Sequence, residues 1–364
     1  MAALLAASLY AIARLTLYRY HISLFVFWSV RLALLGSSFL LASAALYFAV
    51  IRNSPQTGFF RKTLVVLYSL YLCFVVLETA LMFIPRSQTV LYSLAGETWL
   101  EYYWKPINQY GYRDRPVDLN ELQSKTAIIA LGDSFTAGHG IESIRDRYSD
   151  LLQAKLPPRY RVLNLGKNGS DTEDEYQRLL EFPVRPRILI LQYFGNDISE
   201  VIPDNQQKNL EFHPYENLPH RMALLFAGFY ILNYIYWEIP EPDLAVHTTT
   251  LLMAYGEPQT LERHYKDLYR FVDFSRANQC PLVVVIFPFL EDLETSKRFT
   301  VPIEHFFAGA GTPVLDVANL VAGVPVKQRV INSNDHHASK LVHRLVAGAL
   351  YKTLVERGWV AARR

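Results

Sequence analysis

Apolar positions fall along this chain in two regimes. Up to about residue 86 they form long, almost uncharged runs; beyond it they come in short clusters separated by mixed stretches. Residues 32–51, LALLGSSFLLASAALYFAVI, are 20 positions without a charge. At about 1.5 Å per residue such a helix is roughly 30 Å long, the thickness of a hydrocarbon core. Residues 63–84 form a second run that carries one acid, Glu78, and is ended by Pro85 and Arg86. The connector holds Arg52, Pro55, Gly58, Arg61 and Lys62. The pattern therefore predicts a transmembrane helical hairpin over 31–86. Residues 1–30 are apolar but broken by Arg14, Arg19 and His21, with Tyr10, Tyr18 and Tyr20 nearby. That composition predicts an interfacial helix rather than a signal peptide, with a third span, which would reverse the topology, as the alternative.

After a lead-in over 87–124 the second regime begins. Residues 126–131, 161–165, 188–193 and 282–287 read as buried strands, and 312–317 as a weaker fifth. Residues 143–156, 173–182, 261–277 and 338–357 have helical spacing between them. Buried strands alternating with helices predict an α/β domain over 125–364 with a parallel sheet covered on both faces. About 80 residues separate Asp197 from the fourth strand, so the domain carries an insertion at about 199–260. Within it, residues 221–237 are apolar and aromatic; they suit a helix packed on the sheet or on the hairpin, or else a lid or interfacial helix.

Charge sharpens the first regime. No Asp or Glu occurs before Glu78, while Arg14, Arg19, Arg31, Arg52, Arg61 and Lys62 supply six positive charges. A carboxylate in lipid is costly, so Glu78 is expected to pair with Arg31 or Arg86, or to stay protonated. Three basic residues in the connector against two before the first span favour a cytoplasmic loop and an exoplasmic C-terminal domain. The net charge of +2 offers no global field for nucleic acid. Cys73 and Cys280 are the only cysteines, and no metal or cofactor signature is present.

In parallel α/β sheets, chemistry sits beyond the carboxyl ends of the strands. Directly after the first strand come Gly132, Asp133 and Ser134, closed by Gly138; the serine stands at a helix start, where partial positive charge favours an oxyanion. A plain N-cap serine is the structural alternative. After the second strand comes a loop with Gly166 and Gly169, able to offer a backbone N–H, or simply a turn. After the third come Asn196, whose amide can donate, and Asp197. Before the last helix come Asp335, His336 and His337, and an Asp two residues ahead of a His can brace its imidazole.

These four segments, in this order and at these strand ends, resemble the four blocks of the SGNH (GDSL-type) hydrolase superfamily, over roughly 125–357. The resemblance implies a flavodoxin-like α/β/α sandwich and, in members of this kind, a bacterial esterase, lipase or carbohydrate acetylesterase. It implies Ser134 as nucleophile, His337 as general base and acid, and Asp335 as its brace. Ser134, Gly169 and Asn196 match the oxyanion-hole positions, with Gly132, Asp133 and Asp197 supporting. Phe135 stands where the name-giving Leu would be, and Ala338 replaces a proline, although His343 keeps a familiar spacing from His337. Gly166 competes with Gly169, and His336 with His337; the Gly-x-x-Thr and Asp-x-His spacings favour Gly169 and His337. Residues 104–114 resemble a lead-in of membrane-tethered members, through Asn108, Gly111 and Arg113, and packing is its expected role. The expected protein is thus a membrane-anchored serine esterase without cofactor, in a bacterial inner membrane with a periplasmic domain, its partners an ester of a glycan or lipid and the bilayer. An O-acyltransferase acting on an envelope glycan is the main alternative, and a non-catalytic membrane assembly protein the third.

Overall fold

The computed structural model describes residues 2–15, 23–52, 58–89, 92–239 and 242–363. The chain divides into two compact units, one of residues 1–86, 90–102 and 213–241, the other of 87–89, 103–212 and 242–364.

In the first unit the helices Leu24–Leu46 and Gly58–Leu81 dominate. With a π-helical extension of the former, both are long and apolar enough to cross a membrane. The first begins eight residues before the uncharged run because Ser23 caps it, its Oγ accepting the Val26 N–H at 3.3 Å, so Arg31 falls inside the helix. Hydroxyl pairs join the two helices: Ser38 with Tyr71 at 2.5 Å and Ser43 with Tyr68 at 2.8 Å. Such bonds hold helices together where apolar surface alone gives no preference. Phe25, Leu40, Phe59 and Leu70 point outward and are exposed. Tyr18, Arg19, Tyr20, His21 and Pro55 lie outside the described residues, as does the side chain of Arg52.

Glu78 pairs with Arg31, both fully buried, whereas Arg86 pairs with Glu238. The same carboxylate accepts the N–H groups of Tyr230 and Ile231, at 2.7 and 3.1 Å, at the start of the helix Tyr230–Tyr236. The preceding helix, His220–Gly228, lies against Ala2–Leu15 so closely that a Cβ on Gly228 would sit 2.6 Å from the Ala13 Cα. The apolar part of the insertion is therefore a packed element of the N-terminal helical unit.

The second unit holds five parallel strands: β1 Thr126–Leu131, β2 Tyr160–Asn164, β3 Ile188–Tyr193, β4 Leu282–Ile286 and β5 Val314–Asp316. Their order is β2-β1-β3-β4-β5, the flavodoxin-like arrangement that the motifs imply. Alternate residues feed two cores. Ile129, Leu131, Leu189, Leu191 and Val284 enter one, and Ile128, Ala130, Ile190, Val283 and Val285 the other. Apolar burial on both faces is what the near-continuous β-branched runs encode. The order reverses between β1 and β3, and in such sheets ligands bind beyond the carboxyl ends at this point. A short antiparallel hairpin, β6 Val330–Asn332 and β7 Asp335–Ala338, stands where the sequence pattern gave only a loop before the last helix, Lys340–Glu356.

Candidate active site

The turn that carries Ser134 is packed at close quarters. Asp133 caps the helix Ser134–Ala137, its Oδ1 accepting the Phe135 N–H at 2.8 Å. That helix is a single turn, so a macrodipole contributes little here, contrary to the expectation from sequence; individual N–H groups must supply any positive potential. A Cβ on Gly132 would fall 2.3 Å from both Gln192 Oε1 and Thr136 Oγ1, so the turn needs glycine there. Gln192, from β3, accepts the N–H groups of Asp133 and Thr136 at 3.0 and 3.3 Å and fixes the turn from beneath.

Three side chains then meet. His337 Nε2 lies 2.8 Å from Ser134 Oγ, and His337 Nδ1 lies 2.6 Å from Asp335 Oδ1. Asp335 is fully buried on β7; its Oδ1 also accepts the His337 N–H at 3.1 Å, and its Oδ2 accepts the Ser87 hydroxyl. Burial alone would push this carboxyl up, but His337, its hydrogen bond, His139 and Ser87 together hold it below the usual carboxylate range. The neighbouring His336 turns away to Glu291, 3.1 Å distant, and is kept more basic than usual, first by that hydrogen bond. His343 is buried 195 residues from its partner, its Nδ1 accepting the Tyr148 N–H at 3.1 Å, and it packs the last helix rather than touching Ser134.

The two candidate glycines differ. The Gly166 N–H is taken by Asn164 Oδ1 at 3.0 Å, and a Cβ there would meet the Ala137 N at 2.2 Å, so Gly166 serves close packing. Gly169, at φ +70°, has open space around its Cα, and among the described residues nothing accepts its N–H. The Ser134 N–H and the Asn196 side-chain amide are likewise unclaimed among the described residues. Asp197 is fully buried, its Oδ2 accepting the Phe194 N–H at 2.9 Å and its carbonyl the Thr172 hydroxyl at 2.9 Å, so it shapes the turn that presents Asn196.

The lead-in wraps the loop after Ser134. Arg113 is buried and donates to the carbonyls of Gly138 at 2.6 Å and Ile141 at 2.5 Å, while Asp114 pairs with Arg147 at 3.2 Å. Asn108 Oδ1 caps the turn, accepting from Tyr110 and Tyr112. Sequence reasoning missed Gln192, His139 and Ser87. A polar Gln in the apolar third strand was the one available signal.

A family profile described as the GDSL-like lipase/acylhydrolase family matches residues 130–345, more than half of the chain. The chain belongs to this family. As a GDSL hydrolase it is a serine hydrolase acting on esters, and its parallel α/β sheet is the family's. Solved structures similar to this GDSL hydrolase include a G-D-S-L family lipolytic protein from Desulfitobacterium hafniense, at 16% identity and TM-score 0.40, covering 63% of this chain and 100% of that one. A lipase/acylhydrolase from Enterococcus faecalis is 14% identical with TM-score 0.41 over 65% of this chain and 98% of its own. A psychrotrophic esterase from Pseudoalteromonas sp. is 15% identical with TM-score 0.39 over 65% and 98%. No curated protein matches the sequence of this GDSL hydrolase.

Four acids of the α/β domain bear on how its stability varies with pH. Burial raises Asp133 to about 6 and, most of all, drives Glu175 and Asp197 well above the ordinary carboxylate range. Glu200 is pushed up to about 9 by burial first; both its oxygens are shut off from solvent, 3.5 Å from His264 Nδ1 at the nearer. An unfolded Glu titrates near about 4.3, so the folded state binds the extra proton between there and about 9. Its stabilising contribution is complete below the unfolded value and is lost as pH rises through the folded one. The melting temperature is thus expected to fall from pH 7 to 9, and Glu200→Gln to flatten that decline. An unchanged slope in the variant would assign the decline elsewhere.

Proposed function

We propose that this GDSL hydrolase is a membrane-anchored esterase that cleaves an O-acyl ester through Ser134, His337 and Asp335. The observation that carries the reading is the unbroken chain of contacts from Ser134 Oγ through both nitrogens of His337 to Asp335. Asp335 holds the proton on Nδ1, which leaves the Nε2 lone pair facing the hydroxyl. Ser134 attacks the ester carbonyl as His337 takes its proton. The tetrahedral oxyanion is met by the N–H groups of Ser134 and Gly169 and the amide of Asn196, each donor of this kind lowering the barrier by roughly 3 kcal/mol. The alcohol leaves with the proton from His337, and water resolves the acyl-enzyme. Gly132, Asp133 and Asp197 shape the two turns.

The anchoring reading rests on the two long apolar helices, on their exposed Phe and Leu side chains, and on the scarcity of acids before residue 78. With both crossing the bilayer and the loop of Arg61 and Lys62 inside, the α/β domain of residues 103–212 and 242–364 lies on the outer, periplasmic side.

Labelling by a membrane-impermeant fluorophosphonate tests both halves. Intact spheroplasts are expected to label as strongly as lysed ones, and Ser134→Ala not at all. Labelling of the alanine variant sinks the nucleophile, and labelling only after lysis sinks the orientation. Supplying an acyl donor with a polysaccharide acceptor separates water from a sugar hydroxyl as the second substrate; free acid exceeding acylated glycan is the expected result.

A further inference from the structure

Three residues ahead of the α/β domain are built into its catalytic loop. The stretch Ser87–Gln88–Thr89 follows Pro85 and Arg86, where the second apolar run ends, yet it belongs to the compact unit that holds the sheet. Ser87 and Gln88 are each only 4% exposed. All three residues bond to the segment 332–336 or to the loop after the nucleophile. Ser87 donates its hydroxyl to Asp335 Oδ2, and its carbonyl accepts from Asn332 Nδ2 at 3.0 Å. The Gln88 carbonyl lies 2.8 Å from His139 Nε2. The Thr89 N–H donates to the Asn334 carbonyl at 2.9 Å, and Thr89 Oγ1 accepts the His336 N–H at 3.0 Å.

The tautomer of His139 follows from its partners. A carbonyl can only accept, so Nε2 carries the proton, and Nδ1 is then the acceptor for Asn168 Nδ2, 3.0 Å away. Asn168 adjoins Gly169. The His139 ring stands 4.5 Å from the His337 ring, and its Nε2 is 3.8 Å from Asp335 Oδ2. Burial lowers His139 to about 4, so it stays neutral while it bridges the two loops.

We propose that Ser87 is a positioning residue for the catalytic base, acting through Asp335, and that the Gln88–His139–Asn168 chain extends the same brace to the Gly169 loop. This rests on the triad reading above. With Ser87 in place, Oδ2 is tied and Oδ1 is turned to His337 Nδ1. Without it, a buried carboxylate oxygen loses its donor and the carboxylate is free to rotate. Small misplacements of reacting groups cost up to on the order of 100-fold in rate.

The full-length protein in detergent, hydrolysing p-nitrophenyl acetate, is the test. Ser87→Ala is expected to lower kcat by roughly 10-fold to 100-fold with KM within about twofold, and Ser87→Thr, which keeps the hydroxyl, to restore most of it. His139→Leu is expected to lower kcat similarly, and His139→Gln, with one donor and one acceptor in reach, to recover it; this pair serves if Ser87→Ala does not fold. Ser134→Ala is run beside them. If it is inactive while Ser87→Ala and His139→Leu keep wild-type kcat, or change KM alone, the brace is overturned and the triad stands. An active Ser134→Ala removes the triad and the brace with it.

Discussion

Replacing Ser134 by alanine is expected to reduce ester turnover by on the order of 10⁴-fold or more while leaving the unfolding temperature within a degree or two of the parent. The large kinetic effect follows from the geometry: one hydroxyl lies 2.8 Å from His337 Nε2, and no other hydroxyl is bonded to that nitrogen among the described residues. The small stability effect follows from the turn. Its fold is held by the Asp133 carboxylate, the Gln192 amide oxygen and the Gly132 backbone, none of which bonds to the Ser134 side chain. His337→Ala should lose activity to a similar extent, and the double variant should lose little more, because the two act as one unit. Kinetics on purified protein with the calorimetric scan alongside would decide it. Turnover within tenfold of the parent in Ser134→Ala would show that another group does the chemistry.

The strands and the four loops of the candidate site are legible in the sequence for a physical reason, the last of them through its Asp-x-His spacing. A parallel sheet buried on both faces favours short, near-continuous apolar runs such as 126–131 and 282–286, and their length and β-branched content argue against buried helices. Chemistry at strand ends then narrows the search to the next few residues, which is how Ser134, Gly169 and Asn196 come forward. Between Gly166 and Gly169 the Gly-x-x-Thr spacing favours the second, but both are glycines in one loop and only the backbone shows that the Gly166 N–H is already bonded. Ser87 had no signal at all: it lies 248 residues from Asp335, in a stretch without periodicity, and a single hydroxyl-to-carboxylate contact leaves no mark on composition. The apolar stretch at 221–237 reads first as packing and second as a lid or interfacial helix, because an apolar face does not name what covers it. Its partner is fixed by Glu78, whose second role as acceptor for two backbone N–H groups no spacing rule anticipates.

That carboxylate gives the largest expected effect on stability. Arg31 is fully buried among the rings of Phe27, Phe229 and Tyr230, at 5.8, 5.9 and 5.1 Å from its guanidinium carbon, and Glu78 is its one ionic partner among the described residues. Its Nε and Nη1 have no hydrogen-bond acceptor among the described residues, so the charge depends on Glu78. Glu78→Ala removes the counter-charge and also uncaps Tyr230 and Ile231, and removing one partner of a buried pair costs about 3–5 kcal/mol. Glu78→Gln keeps an acceptor for the backbone and should lose less. Replacing both partners, as Arg31→Met with Glu78→Met, should recover most of the loss, because the desolvation cost of both charges disappears together. Unfolding of the four proteins in one detergent by denaturant or heat measures these differences. Were Glu78→Ala to match the parent within about 0.5 kcal/mol, the pair would be a bystander and the insertion would owe its place to apolar packing such as Gly228 on Ala13 alone.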